Sequence, residues 1–401
     1  MHDLMTIEIR VPTEDQWPDL VRADGRGFGM VPTDAEIAER RPIIDLDRFR
    51  IAVDSGRIIG VAGSFSFDVT VPGGATMPAS GVTWVAVSPT HRRRGVLTQM
   101  IASLHADAEA RGEPVALLFA SQGGIYGRFG YGIASQLRGV SIDTRVSRLR
   151  PDLRPDLTSV RFVEGDEASD HLAATWDRYR RSRPGEISRD TRWHDSMAAG
   201  RSKPDGELSP AFHLAHRDGY AAYRINGSWT NGNADYAMEL VEFVATTADS
   251  HLDLWATLLG VDLVTHIRAW MLPSDEALPY LLTDARAYAT TALKDGLWAN
   301  VIEPGVAFGA RTYGTTDRLV VEADGVRWAI EADGDESSCR RVRTKPDLVT
   351  DHASLGSLLF AGTRPSALAA GRRLTARTPD ALRRADAFFV TGPAPLCSTW
   401  F

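Results

Sequence analysis

At 401 residues and 43.8 kDa, the chain exceeds the roughly 250–300 residues at which a single hydrophobic core stops growing, so two or three domains are expected. Hydrophobic residues at 43% and charged residues at 24% exclude wholesale disorder and a collagen-like chain. Lys+Arg 45 against Asp+Glu 52, a net charge of −7, argues against a general binder of nucleic-acid phosphates.

The charge is unevenly laid out. Residues 1–90 carry 8 basic and 13 acidic side chains, and residues 91–150 carry 9 basic and 4 acidic. Two cysteines, Cys339 and Cys397, cannot make a disulfide framework, which predicts a reducing compartment. The start of the chain has no basic segment followed by an apolar one, and no later run approaches about 20 apolar residues. A cytoplasmic protein without a membrane span is expected.

In chain order, residues 5–11 alternate apolar and polar side chains as a half-buried strand does, and Pro12-Thr13-Glu14-Asp15 opens a helix. Residues 49–53 and 57–70 read as paired strands, and a further strand runs from Val82 to Val87. A helix follows from Gly95 to Arg111, with Leu97, Met100, Ile101, Leu104 and Ala108 on one face, and residues 114–119 form a buried strand. Arg150-Pro151-Asp152-Leu153-Arg154-Pro155-Asp156 has the composition of an exposed connection. Beyond it come a helix over 168–180, hairpin signals at Asp218-Gly219, Asn226-Gly227 and Asn231-Gly232, a helix over 252–259 and a strand over 264–271. The last region places Asp324-Gly325 between two strands and predicts helices over 354–359 and 365–370. The expected units are residues 1–150, 157–290 and 291–401.

The stretch Val85-Ala86-Val87-Ser88-Pro89-Thr90-His91-Arg92-Arg93-Arg94-Gly95-Val96-Leu97-Thr98 carries the clearest chemistry. A buried strand ends, a basic turn follows, and Gly95 enters the first turn of a helix. Unpaired N–H groups and the positive end of the helix then converge on one spot, which suits a pyrophosphate. A three-arginine run by itself is more often a solvated face; the order strand, turn, glycine, helix makes the difference. Ser121-Gln122-Gly123-Gly124-Ile125-Tyr126-Gly127-Arg128-Phe129-Gly130-Tyr131-Gly132 follows, with five glycines that packing alone does not justify. Tyr126 lies close enough to the preceding strand for its hydroxyl to reach a ligand at Arg92–Thr98, although a half-buried loop tyrosine fits its position equally well.

These residues carry a resemblance. Arg92 through Leu97 resembles the Arg/Gln-x-x-Gly-x-Gly/Ala signature of GNAT N-acetyltransferases, with Leu97 departing at the last small position. Together with Gly-Gly-Ile-Tyr-Gly-Arg-Phe-Gly-Tyr-Gly, the sequence is similar to the enhanced intracellular survival (Eis) family of actinobacterial acetyltransferases. Further matching text stands at Pro12–Trp17, Pro279–Arg286 and Asp295–Trp298.

The resemblance implies an α/β (α+β) chain: an N-terminal GNAT domain, a central GNAT-like domain without a cofactor motif, and a sterol-carrier-protein-like C-terminal domain. It also implies a homohexamer. Acetyl-CoA would contact Val85, Ala86, Val87, Arg93, Arg94, Gly95, Val96, Leu97, Thr98, Ser121 and Gln122. Tyr126 takes the general-acid position, and the carboxylate of Phe401, within the apolar Leu396–Phe401 segment, takes that of the general base. The acceptors implied are amines of aminoglycosides and similar polyamine-like or lysine-bearing molecules. Phe119, Gln122 and Trp400 stand where some members carry polar or acidic groups.

The reaction implied is direct transfer, with no covalent enzyme intermediate and no role for either cysteine. A metal site is not expected: His213 and His216 stand three apart in a predicted strand and so face opposite sides. Two other readings stay open, a protein lysine acetyltransferase and a lipid-binding scaffold with vestigial GNAT domains.

Overall fold

The computed structural model describes residues 7–198, 208–390 and 392–401. Three sheets organise them. The first has seven strands in the order Glu8–Arg10, Phe49–Asp54, Arg57–Thr70, Thr76–Val87, Val115–Phe119, Leu297–Val301, Gly132–Ile133. Residues 5 and 6 of the predicted first strand lie outside the described residues. The second also has seven, in the order Tyr288–Asp295, Gln136–Asp143, Val264–Leu272, Tyr236–Ala245, Gly219–Asn226, Phe212–His216, Arg161–Val163. A five-stranded sheet contains Glu336–Arg341, Val326–Asp333, Asp317–Ala323, Leu348–Thr350 and Leu374–Ala376.

The sheets cut across the ranges expected from the sequence. Gln136–Asp143, at the end of the first range, pairs with strands of the second sheet on both its edges. Leu297–Val301, from the third range, pairs antiparallel with Val115–Phe119 in the first sheet. An all-apolar strand such as Val115–Phe119 needs hydrogen-bonded partners on both edges, and this segment supplies one of them.

The helices form where amphipathic spacing and end signals agree. Val96–Ala110 buries Val96, Met100, Ile101, Leu104 and Ala108 and starts from Gly95 at φ +79°. Trp17–Phe28 has Pro18 in its first turn, buries Trp17, Leu20 and Val21, and ends at Gly29 in the left-handed region.

Between the units the packing is continuous. One core joins Phe67, Val69 and Leu117 of the first sheet to Leu297, to Phe308, Leu358, Phe360 and Phe388 of the C-terminal unit, and to Cys397. A loop of the central unit adds backbone pairing to the strand Arg57–Thr70: Gly185 N–H donates to the Thr70 carbonyl at 2.8 Å, and Thr70 N–H donates to Glu186 at 2.9 Å. The C-terminal unit also buries Arg311, which donates to the carbonyls of Leu358, Leu359 and Phe389. Burial pushes its pKa down to about 10.

Candidate active site

The parallel ladder between Thr76–Val87 and Val115–Phe119 runs only from Ala79–Gly81 to Val115–Leu117. Beyond it the two strands part. On the other edge of Thr76–Val87 the register skips, with Val61 opposite Ala86 but Gly63 opposite Thr83. Two residues, Trp84 and Val85, therefore oppose one. This is a β-bulge with Trp84 in the left-handed region at φ +52°, and it re-aims the end of the strand. The fork holds a cavity of about 440 Å³ lined by Val85–Val87, Arg92, Arg93, Val96, Leu97, Ser121, Gln122 and Tyr126.

The basic turn from Arg92 to Gly95 is shaped by backbone. Arg93 and Gly95 both take positive φ, +64° and +79°, so the chain curls its N–H groups toward the start of the helix. Gly95 is required by this φ rather than by crowding, because the nearest atom to a Cβ there would be Gln99 Nε2 at 3.7 Å. Of the three arginines, Arg92 and Arg93 line the cavity. Arg94 turns to Asp54, 3.6 Å away, where His91 Nε2 also lies at 3.1 Å. Arg94, Gly95 and Thr98 are not among the lining residues.

Tyr126 ends the short helix Gly123–Tyr126 and is 4% exposed. Burial raises its pKa above the ordinary tyrosine value, opposed by a hydrogen bond with Ser121. Its ring meets Tyr131 edge-on, centroids 6.0 Å apart. Behind it, Tyr131 is hydrogen-bonded to His105 at 2.9 Å, and burial pushes His105 down to about 4, so that imidazole is neutral at physiological pH. The glycines of this loop divide in purpose. A Cβ at Gly130 would stand 2.8 Å from His352, and one at Gly132 would stand 1.9 Å from the Ala353 carbonyl. These two admit the helix His352–Leu359, whereas Gly124 and Gly127 face open space.

The segment Leu396–Phe401 returns from the C-terminal unit to the same fork. Leu396 N–H donates to Pro184 at 2.9 Å. Ser398 N–H and Oγ donate to the two oxygens of Glu186 at 3.0 and 2.9 Å, and Arg189 Nε donates to Thr399 Oγ1 at 2.8 Å. Arg189 is itself paired with Glu242 at 2.6 Å, both fully buried, and Tyr220 donates to that same carboxylate. The Phe401 ring lies 5.1 Å from Phe67 and 5.4 Å from Phe119. A Cβ at Gly81, the last residue of the parallel ladder, would stand 3.2 Å from it. Trp400 stacks on Phe119 with centroids 4.5 Å apart.

Gly27, Phe28, His91, Ile125 and Arg128 also line the fork cavity and were not singled out from the sequence as lining residues. Gly27 carried a readable signal: a Cβ there would stand 2.5 Å from the Cβ of Ala86, and glycine within a helix marks such a close approach. His213 and His216 sit in the strand Phe212–His216, His216 facing Asp253 at 3.5 Å. No group of three or more His, Cys, Asp or Glu arranged for a metal occurs among the described residues.

Comparison with known proteins assigns the domains. Residues 8–134 and 185–299 each match an acetyltransferase (GNAT) domain, and residues 307–398 match a sterol carrier protein domain. N-acetyltransferase Eis of Mycobacterium tuberculosis is 35% identical over 96% of this chain and 98% of its own. The chain belongs to the Eis family of GNAT N-acetyltransferases. An N-acetyltransferase of Streptomyces avermitilis is 34% identical over 98% of both chains. The crystal structure of Eis1 from Mycobacterium abscessus superposes with a TM-score of 0.88 at 29% identity, covering 98% of this chain and 100% of that one. A GCN5-related N-acetyltransferase from Anabaena variabilis, 17% identical with a TM-score of 0.83, shares the fold. As a member of the Eis family, the protein is an acetyl-CoA-dependent N-acetyltransferase.

Proposed function

We propose that the fork between the strands Thr76–Val87 and Val115–Phe119 transfers acetyl directly from acetyl-CoA to an acceptor amine, with Tyr126 as general acid and the carboxylate of Phe401 as general base. The observation that carries this reading is the meeting of three chain segments at one fork: the bulged strand end, the loop bearing Tyr126, and the Phe401 segment seated on Glu186 and Arg189.

Acetyl-CoA would lie along Val85–Val87, with its pyrophosphate at the turn from Arg93 to Thr98 and its thioester near Ser121 and Gln122. An ammonium of ordinary pKa near ~10.4 must lose a proton before its nitrogen can attack. The Phe401 carboxylate takes that proton. The nitrogen lone pair forms the C–N bond, and the carbonyl oxygen gains negative charge facing a backbone N–H of the Val85–Val87 strand. Collapse breaks the C–S bond. The departing thiolate takes the Tyr126 proton, which the raised pKa keeps in place at neutral pH; the nitrogen releases its second surplus proton to water, and the tyrosinate regains a proton from solvent.

By similarity, the acceptor class is amines of aminoglycosides or other polyamine-like molecules, with a lysine side chain as the second reading. The assembly implied is a homohexamer, which sedimentation would measure. Packed aromatic side chains fill the interior of the C-terminal unit, with Tyr313 stacked on Phe388 at 4.2 Å and set against Phe389 at 5.9 Å. That favours an enzyme over a lipid-carrying scaffold. The test is acetyl transfer by wild type, Tyr126→Phe and a chain extended by a few residues after Phe401. Loss of roughly 10²–10⁴ in kcat with KM for acetyl-CoA little changed is expected for Tyr126→Phe. Full activity of the extended chain would exclude the carboxylate as base.

A further inference from the structure

The loop that carries Tyr126 is held from behind by a side chain of a distant strand. Asn300, on Leu297–Val301 and 5% exposed, sits where the first sheet, this loop and the C-terminal unit meet. Its Nδ2 donates to the Phe129 carbonyl at 2.9 Å, just past Tyr126 in the chain. Its Oδ1 lies 2.9 Å from His352 Nε2, and its Nδ2 lies 3.4 Å from His105 Nε2. His105 Nε2 in turn lies 2.9 Å from the Tyr131 hydroxyl.

Donors and acceptors follow in order from the Phe129 carbonyl, which can only accept. The Asn300 group facing it is therefore the NH₂, so His105 Nε2 beside that NH₂ accepts as well, and the Tyr131 hydroxyl donates to it. A neutral imidazole at His105 agrees with this. Asn300 Oδ1 accepts from His352 Nε2–H. Both hydrogens and the oxygen of a buried amide are then used, which fixes its orientation. The backbone closes the arrangement. Tyr131 N–H donates to the Tyr126 carbonyl at 3.3 Å and Gly130 N–H to that of Gly127 at 3.2 Å. A Cβ at Gly356 would overlap the Ala299 carbonyl, so the helix His352–Leu359 lies directly on the strand that carries Asn300.

We propose that Asn300, held by His352, is a positioning residue for Tyr126: it fixes the Phe129 end of the loop and, through His105, the Tyr131 ring on which the Tyr126 ring packs. Asn300, His352, His105 and Tyr131 are not among the residues lining the fork cavity, so they act through Tyr126 rather than on acetyl-CoA. The inference rests on the reading of Tyr126 as general acid. It gives the C-terminal unit a second hold on the reaction, on the acid side, apart from the Phe401 segment on the base side.

The experiment measures kcat and KM for acetyl-CoA in wild type, Asn300→Ala, His352→Ala, His352→Gln, Tyr126→Phe and the double variant Tyr126→Phe/Asn300→Ala, with thermal melts to confirm folding. Misplacing a catalytic group by about 1 Å costs up to about 10²-fold, so Asn300→Ala should lower kcat about 10–100-fold and leave KM within about twofold. His352→Ala should lower kcat about three- to tenfold, the worth of one hydrogen bond. His352→Gln, whose amide N–H can donate to Asn300 Oδ1, should recover most of that loss. In the Tyr126→Phe background Asn300→Ala should cost less than about twofold more, because the group it positions no longer has its proton. Should Asn300→Ala not fold, the same cycle is run with His352→Ala, which removes one hydrogen bond from a half-buried side chain. Equal losses in both backgrounds, or wild-type kcat in folded Asn300→Ala and His352→Ala, would overturn the inference while leaving Tyr126 as the acid. Wild-type kcat in Tyr126→Phe would overturn both.

Discussion

Replacing Glu186 by Ala tests whether the Phe401 segment is held in place by the central unit. The substitution removes both acceptors of Ser398, at 3.0 and 2.9 Å. At about pH 8, above the Glu186 pKa of about 7, the acceptor is ionised and hydrogen bonds to a charged group contribute about 1.5–3 kcal/mol each, so seating should weaken by about 3 kcal/mol or more, or roughly 10²-fold in the ratio of seated to released segment. Arg189 to Thr399, Leu396 to Pro184 and the Phe401 ring contacts remain, so the fold itself should persist, as circular dichroism would show. The assay is digestion with carboxypeptidase alongside steady-state acetyl transfer. Release of Phe401 should accelerate by one to two orders of magnitude, because cleavage follows the open population when opening is fast, and kcat should fall in parallel. Glu186→Gln, which can accept from Ser398 N–H and donate to its hydroxyl, should behave nearly as wild type. Unchanged digestion and kcat in a folded Glu186→Ala protein would refute the anchoring argument.

Burial also pushes Glu186 up to about 7 from an ordinary 4.5. Between those values the folded chain holds a proton that the unfolded chain has lost, so stability falls by on the order of 3 kcal/mol as pH rises from about 4.5 to 7, then levels. Denaturant melts across that window should show the slope in wild type and lose it in Glu186→Gln. Glu113→Ala should cost about 3–5 kcal/mol, since it leaves Arg48 charged and buried without its partner; urea unfolding measures it. Gly132→Ala should lower Tm by several degrees or more, because the new methyl would overlap the Ala353 carbonyl. Gly95→Ala places a side chain at φ +79°, a strain of about 1–2 kcal/mol. It should raise KM for acetyl-CoA severalfold and leave most of kcat, as initial rates would show.

What the sequence made legible was local. The order of strand, basic turn, Gly95 and helix appears in the structure as read, because a left-handed residue and a 3.6-residue burial period are properties of neighbouring residues. The hairpin at Asp218-Gly219 followed the same logic, joining Phe212–His216 to Gly219–Asn226. The exchange of strands between sheets was not legible. Leu297–Val301 is an apolar run that suits any buried strand, and nothing in it names Val115–Phe119 as its partner. The bulge at Trp84 was hidden for another reason, since tryptophan has no tendency toward the left-handed region and surrounding packing imposes it. The apolar character of Leu396–Phe401 signalled burial, but its seat on Glu186 and Arg189 lies some 210 residues away in sequence. The glycines of the Tyr126 loop were read as shaped around a ligand, whereas Gly130 and Gly132 accommodate a helix from the C-terminal unit.

The strand Leu297–Val301 sets an order of events during synthesis. Val115–Phe119 leaves the ribosome long before its antiparallel partner exists, and at about 5–20 residues per second the interval is roughly 10–35 s. Throughout it, an all-apolar strand at the heart of the cofactor-binding sheet has one edge unpaired. Until then that edge is open to water and to non-native pairing. The first unit to be translated is among the last to be completed.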